Sequence, residues 1–137
     1  MLVFWDTNLF IYLWENSTAT ARVQRLRAWQ RSEKAEVATS TLTVGEILVH
    51  PLRQGRADIA NTYRDIFRQL RVIPYDLDAA LLFAQLRADH PTLKPPDAIQ
   101  LACAAAAGVD LFVTNDRRLS RFKPPAIGKI QSLSDFA

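Results

Sequence analysis

A three-layer α/β/α sandwich around a parallel sheet is predicted by three observations. Five short β-type runs are spread along the chain, and helical periodicity fills the stretches between them. No internal repeat, low-complexity linker or composition break interrupts that alternation. Strands that alternate with helices need crossover connections, which pair the strands in parallel and place helices on both faces of the sheet. The 137 residues suit one such domain and leave no room for a second, so residues 1–137 are expected to fold as one unit.

The elements follow in order. Leu2 to Trp5 is an apolar run and the first strand candidate. Val23, Leu26 and Trp29 then recur at helical spacing. Glu36 to Thr39 is the second strand candidate. Ile59, Tyr63, Ile66, Phe67 and Leu70 mark another helix, and Arg71 to Tyr75 reads as the third strand. Asp76 can cap the helix that carries Leu82, Phe83 and Leu86. Pro95-Pro96 opens the next helix, the run Cys103 to Ala107 packs tightly, and Gly108 ends it. Leu111 to Thr114 and Ile127 to Gln131 complete the strands.

Composition narrows the class. Hydrophobic residues make up 49% of the chain, enough for a packed core and too many for a disordered one. The single Cys excludes a disulfide scaffold. Met1 to Asp6 lacks a basic start, and Asp6 breaks the apolar run early, so no secretory leader is expected. The longest apolar run falls far short of a membrane span. A cytoplasmic protein without a membrane partner is the expectation. The net charge of +3 is modest, and Arg far outnumbers Lys. Arginines such as Arg22, Arg25, Arg27 and Arg31 permit an anionic polymer as partner, and they read equally as solvated helix faces.

Parallel α/β sheets bind ligands at the carboxyl ends of their strands. Asp6 directly follows the first strand, and Asp116 follows the fourth in Thr114-Asn115-Asp116. Asp97 lies in the first turn of the helix opened by Pro95-Pro96, and Glu46 lies early in the helix after strand two. Helices antiparallel to their strands begin at that same edge, so four acids converge there. Each also has a structural reading. Asp6 and Asp116 can cap the segments that follow them, Asp97 can complement a helix start, and Glu46 can be a surface residue. Together, however, four carboxylates repel unless a divalent cation neutralises them. Oxygen donors without His or Cys suit Mg²⁺ or Mn²⁺. The chemistry such a cluster supports is metal-assisted phosphodiester hydrolysis, with a bound water made acidic and, where a second ion is present, a stabilised leaving oxygen.

The ordered set Asp6-Thr7-Asn8, Glu46 in a Thr-x-x-Glu setting, Asp97-Ala98 before an Ala-rich helix and Thr114-Asn115-Asp116 resembles the PIN-domain ribonucleases. The bare size resembles in particular the VapC toxins of VapBC toxin–antitoxin modules. The resemblance runs from residue 2 to about residue 131. It implies a five-stranded parallel sheet, a Mg²⁺- or Mn²⁺-dependent endoribonuclease acting on tRNA or mRNA, and a homodimer. It also implies a VapB-type antitoxin whose C-terminal segment masks the acidic site. Carried over by motif, Asp6, Glu46, Asp97 and Asp116 are the catalytic, metal-holding quartet, with Asn8 and Thr114 as polar support. Many relatives carry a further acid after the fourth, where this chain has Arg117 and Arg118. Those two arginines are candidate phosphate contacts or plain surface residues. Trp14, Trp29, Tyr63 and Phe67 are candidates for a groove that receives an antitoxin helix, the alternative being that they form the core.

Two other readings compete. A phosphotransferase with Asp6 as nucleophile wants a second Asp two residues on, where Asn8 stands, and a well-placed Lys, whereas Lys94 precedes two prolines. A PIN-like module that binds RNA or protein without turnover would keep the fold and lose the chemistry.

Overall fold

The computed structural model describes residues 1–13, 17–124 and 126–136. Its strands are β1 (Leu2–Trp5), β2 (Glu36–Ser40), β3 (Arg71–Ile73), β4 (Leu111–Thr114) and β5 (Lys129–Ser132). The helices are α1 (Thr7–Tyr12), α2 (Thr18–Ser32), α3 (Thr41–Arg53), α4 (Ala57–Arg68), α5 (Leu77–Asp89) and α6 (Pro95–Ala107). Short 3₁₀ turns follow at Leu119–Arg121 and Leu133–Phe136.

The five strands form one sheet in the order β3-β2-β1-β4-β5, and every pairing is parallel. All four residues of β1 are buried, as expected for a central strand covered on both faces. Their alternation divides the core in two. Leu2 and Phe4 pack with Ala79 of α5 and with Ala98, Leu101 and Ala104 of α6. Val3 and Trp5 face Leu9 and Phe10 of α1, Leu26 of α2 and Phe67 of α4. Phe4 and Phe112 sit opposite each other in the β1–β4 register and stack at 4.9 Å between ring centroids. The three-layer expectation therefore holds, with α1 to α4 on one face and α5 and α6 on the other.

Three strands differ from the sequence expectation, β2 only by running one residue further, to Ser40. β3 stops at Ile73 instead of reaching Tyr75, because Pro74 has no N–H to donate to the ladder. β5 starts at Lys129, two residues later than expected, and runs on to Ser132. Its start is set by Gly128, whose N–H donates to Val109 O at 3.0 Å. A Cβ on Gly128 would stand 2.4 Å from the backbone carbonyl oxygen of Asp110. That oxygen accepts from Lys129 N, so it cannot move without opening the ladder. Gly128→Ala is expected to destabilise the fold by about 1–3 kcal/mol, the usual cost of overpacking. Urea titration checks it, and an unchanged midpoint would mean that the β5 segment shifts freely.

The helix ends follow from sequence. Asp76 caps α5 by accepting from Ala79 N at 3.0 Å. Gly108 ends α6 in the left-handed region, at φ 63° and ψ 43°, where a side chain would be strained.

Candidate active site at the carboxyl edge

The chain moves outward from β1 through β2 to β3, then crosses back to β4 on the other side of β1. The carboxyl ends of β1 and β4 therefore bound the crevice where strand order reverses, the usual ligand position in such sheets. Asp6 stands there. Its N–H donates to Val113 O at 3.1 Å, which ties the end of β1 to β4. Its Oδ1 accepts from Thr7 N at 2.9 Å, capping α1, and its Oδ2 accepts from Thr114 Oγ1 at 2.8 Å. Capping and site geometry thus coexist in one carboxylate. The Thr114 hydroxyl also accepts from Asp116 N at 3.1 Å, so one buried residue links the first and fourth acids.

The other acids come from helix starts and a turn. Glu46 sits in the second turn of α3, where Thr7 Oγ1 donates to its Oε1 at 2.8 Å. Asp97 lies in the first turn of α6. With Asp116, Lys94 and Arg118 it lines a cleft of about 200 Å³. Asp116 Oδ1 accepts from Arg118 N at 2.9 Å, and the Arg118 guanidinium forks back onto the same carboxylate at 3.2 and 3.3 Å.

The electrostatics register the convergence. Asp6 is held above the usual carboxylate range chiefly by burial. The hydrogen bonds from Thr114 and Thr7 N oppose that rise, while the charges of Asp97 and Glu46 add to it. Asp97 is raised by burial and then by the charge of Asp116, with Lys94 and Arg118 pulling the other way. Asp116 is lowered, first by its hydrogen bond from Arg118. The acids sense one another across the crevice without closing on it. Among the described residues, no three His, Cys, Asp or Glu side chains are gathered tightly enough to hold an ion between them. Like charges keep apart, Thr7 holds Glu46, and Arg118 holds Asp116. The donor set itself, carboxylate oxygens with no imidazole or thiol among them, fits a hard divalent cation.

The remaining sequence candidates are placed differently. Asn8 is exposed, and its neighbour Thr7 carries the hydrogen bonds to the acids. Arg117 is exposed. Trp14 lies outside the described residues. Phe67 is only 6% exposed and meets Phe10 edge-on at 5.7 Å, so it is core and not groove. Trp29 is half-buried against Phe136, at 5.8 Å between rings, and serves to dock the C-terminal turn. Tyr63 is also core, 7% exposed and stacked on Phe67 at 6.2 Å, and its remaining edge lines a cleft. That cleft, of about 440 Å³, runs between α3 and α4 beside α1, with Ile11, Ile47, Pro51 and Ile59 on its walls and Glu46 at its lining. Cys103 is buried in α6, and burial pushes its thiol up to about 11, which keeps it protonated and unreactive.

A polar network under the acids was not foreseen from sequence. Gln100 of α6 reaches Thr7, Thr43 and Ser40, and all four lie within one hydrogen-bonded group. The available signal was a single amide side chain in the apolar run Ala98-Ile99-Gln100-Leu101, three residues after Asp97. At the outer rim, Asn115 Nδ2 donates to the Tyr12 hydroxyl at 2.9 Å and joins the fourth-acid turn to α1.

Fold and rim together define a parallel α/β protein with an acidic crevice at its switch point. Residues 3–123 match the PIN domain, and the chain belongs to that family. No curated protein sequence matches it. Solved structures resemble it over nearly their whole length. The DNA-bound VapBC complex of Salmonella typhimurium aligns with a TM-score of 0.74 at 23% identity, covering 97% of this chain and 99% of that one. A toxin–antitoxin complex from Klebsiella pneumoniae aligns at 0.71 and 24% identity, covering 91% and 94%. VapC20 of Mycobacterium tuberculosis, a toxin that cleaves the sarcin–ricin loop, aligns at 0.67 and 19% identity, covering 89% and 97%.

Proposed function

We propose that this PIN-domain chain is a metal-dependent endoribonuclease that hydrolyses RNA phosphodiester bonds, and that it is the toxin of a toxin–antitoxin pair. The observation that carries the reading is the convergence of Asp6, Glu46, Asp97 and Asp116 on one crevice, where burial first and the neighbouring acids' charges second raise Asp6 and Asp97. Membership of the PIN family and the likeness to VapBC complexes support it. On this reading residues 1–137 act as one nuclease domain. Asp6, Glu46, Asp97 and Asp116 would hold the ion, which when bound supplies an acidified water and positive charge for the leaving oxygen.

The chain's own residues prepare that step. Thr114 and Thr7 N fix both oxygens of Asp6, so the carboxylate presents one orientation. Lys94 and Arg118 line the same cleft as Asp97 and Asp116 and on this reading would meet substrate phosphates, with exposed Arg117 as an outer contact. The test is purified protein incubated with total RNA plus Mg²⁺ or Mn²⁺, followed by mapping of new 5′ ends in tRNA and mRNA. New ends that disappear in chelator are expected. Their absence from the wild-type digest would leave the non-cleaving binding module as the function.

The proposed partner is a VapB-type antitoxin, in a cytoplasmic complex that contains a homodimer of this chain. Its helix would fill the cleft of Ile11, Ile47, Pro51, Ile59 and Tyr63, which is apolar and opens towards Glu46. An Arg from its tail would then stand among the four acids and silence the enzyme without changing its fold. Ile11→Asp, at an exposed wall of that cleft, is expected to weaken capture of the co-expressed antitoxin at least tenfold in pull-down titration. Unchanged capture would move the groove to another face.

A further inference from the structure

The acids lie on a buried polar network whose direction can be read from its hydrogen bonds. Gln100 is 2% exposed and lies one helical turn after Asp97 on α6. Its Oε1 accepts from Ser40 Oγ, while its Nε2 donates to Thr43 Oγ1 at 2.8 Å and to Thr7 Oγ1 at 3.0 Å. A carboxamide can in general be placed either way round, and here an acid decides: Asp6 Oδ1, 3.5 Å from the amide nitrogen, is a carboxylate oxygen that accepts, so Nε2 takes that side. Ser40 Oγ, which accepts from Thr43 N at 3.3 Å, gives its proton to Gln100 Oε1. The amide nitrogen then faces the two threonines. Nε2 donates into Thr7 Oγ1, and the single proton of Thr7 goes to the Glu46 carboxylate, Oε1 at 2.8 Å, which leaves Thr43 Oγ1 at 3.0 Å as the donor between the two threonines. No buried side-chain nitrogen or oxygen among the described residues lacks a partner, so the network is closed.

We propose that Gln100 is a positioning residue of the acidic site, orienting the Thr7 hydroxyl so that it donates to Glu46 and holds that carboxylate towards the crevice. The inference rests on the reading of the four acids as a nuclease centre. Gln100 touches neither substrate nor ion. It meets an acid directly only at the limit of hydrogen bonding, where Nε2 donates to Asp6 Oδ1 at 3.5 Å. It acts on Glu46 through Thr7, coupling α6, the end of β2 and the start of α3 to the one acid that is exposed. A side chain of equal length without polar hydrogens would leave the Thr7 proton free to turn to other acceptors.

The experiment uses the full chain and three readouts: Mn²⁺ affinity by calorimetric titration, kcat and KM on a cleavable RNA, and melting temperature in chelator. Gln100→Met keeps length and volume and removes both amide functions. Mn²⁺ affinity and kcat are each expected to fall about tenfold to a hundredfold, the usual loss when a partner of a metal-holding group is removed, with KM little changed. Thr7→Val should reproduce the loss and Thr7→Ser should restore it. The double variant Gln100→Met with Thr7→Val should be no worse than Thr7→Val alone, since both cut one relay. A Gln100→Met protein that melts earlier yet binds Mn²⁺ and turns over like wild type would overturn the proposal, as would losses that multiply in the double variant. Should Gln100→Met fail to fold, the Thr7 pair decides: wild-type Mn²⁺ affinity in Thr7→Val overturns the relay. A wild type that binds Mn²⁺ and cuts no RNA would overturn the nuclease reading, while the affinities still decide the role of Gln100.

Discussion

Asp6→Asn is expected to abolish metal-dependent RNA cleavage, by about 10³-fold or more, while leaving the metal-free protein more stable than wild type. The two effects share one cause. Burial and the charges of Asp97 and Glu46 disfavour the ionised form of Asp6 in the folded chain. Removing that charge therefore relieves the fold at neutral pH, by about 1 kcal/mol. The Asn keeps an oxygen for Thr7 N, so the α1 cap survives.

The sign follows from linkage. A carboxyl whose pKa is raised on folding adds stability that is fully present below its unfolded value and is lost as pH rises through the folded one. The advantage of Asp6→Asn should thus be full at pH 7. It should shrink as pH falls through the raised Asp6 range and vanish below the ordinary value of 3.8. Melting in chelator across that window, paired with cleavage in Mn²⁺, gives both readouts. Undiminished cleavage would remove Asp6 from the site, and a variant less stable than wild type at pH 7 would mean that the Thr114 bond outweighs the burial.

Much of the fold was legible because its signals are local. β1 is four consecutive apolar residues, the pattern of a strand covered on both faces, and Asp6 bounds it too early for a helix. The Pro-Pro start and Gly stop of α6 are properties of those residues wherever they occur. The candidate acids were visible for a related reason: each stands at the end of a strand, in the turn beyond one or early in a helix, and parallel topology sends all four to one rim. Other features depend on what lies across the fold. Gln100 looks like a misfit in an apolar helix until Ser40, Thr43 and Thr7 are seen opposite it. Tyr63 and Phe67 occupy the same helical face in sequence, yet one lines a cleft and the other packs on Phe10. The Ile127 to Gln131 expectation began two residues too early because the close approach of Gly128 to Asp110 involves a backbone oxygen that no side-chain pattern reports.

Divalent cations are expected to raise the melting temperature, and the gain should vanish when Asp97 and Asp116 are both changed to Asn. An ion that binds only the folded chain stabilises it by mass action, by about 2.7 kcal/mol at a hundredfold excess over its Kd. At this chain length roughly 3 °C accompanies each kcal/mol, so a shift of about 8 °C is the expected scale. A purely structural role predicts no such dependence, because the α1 cap made by Asp6 and the turn that Asp116 closes onto Arg118 N are complete without an ion. The response should weaken as pH falls, since Asp6 and Asp97 protonate above the ordinary carboxylate range and a protonated carboxyl is a poor ligand. Arg118 adds a finer test. Its guanidinium occupies the Asp116 carboxylate and must give way to an ion, so Arg118→Gln should bind Mn²⁺ more tightly while losing RNA affinity. The gain should be only severalfold, because an ion pair whose arginine is 76% exposed is weakly held. Identical melting of the wild type in chelator and in Mn²⁺ would sink the shared metal site. A shift that survives in the Asp97→Asn, Asp116→Asn protein would place the ion elsewhere on the chain.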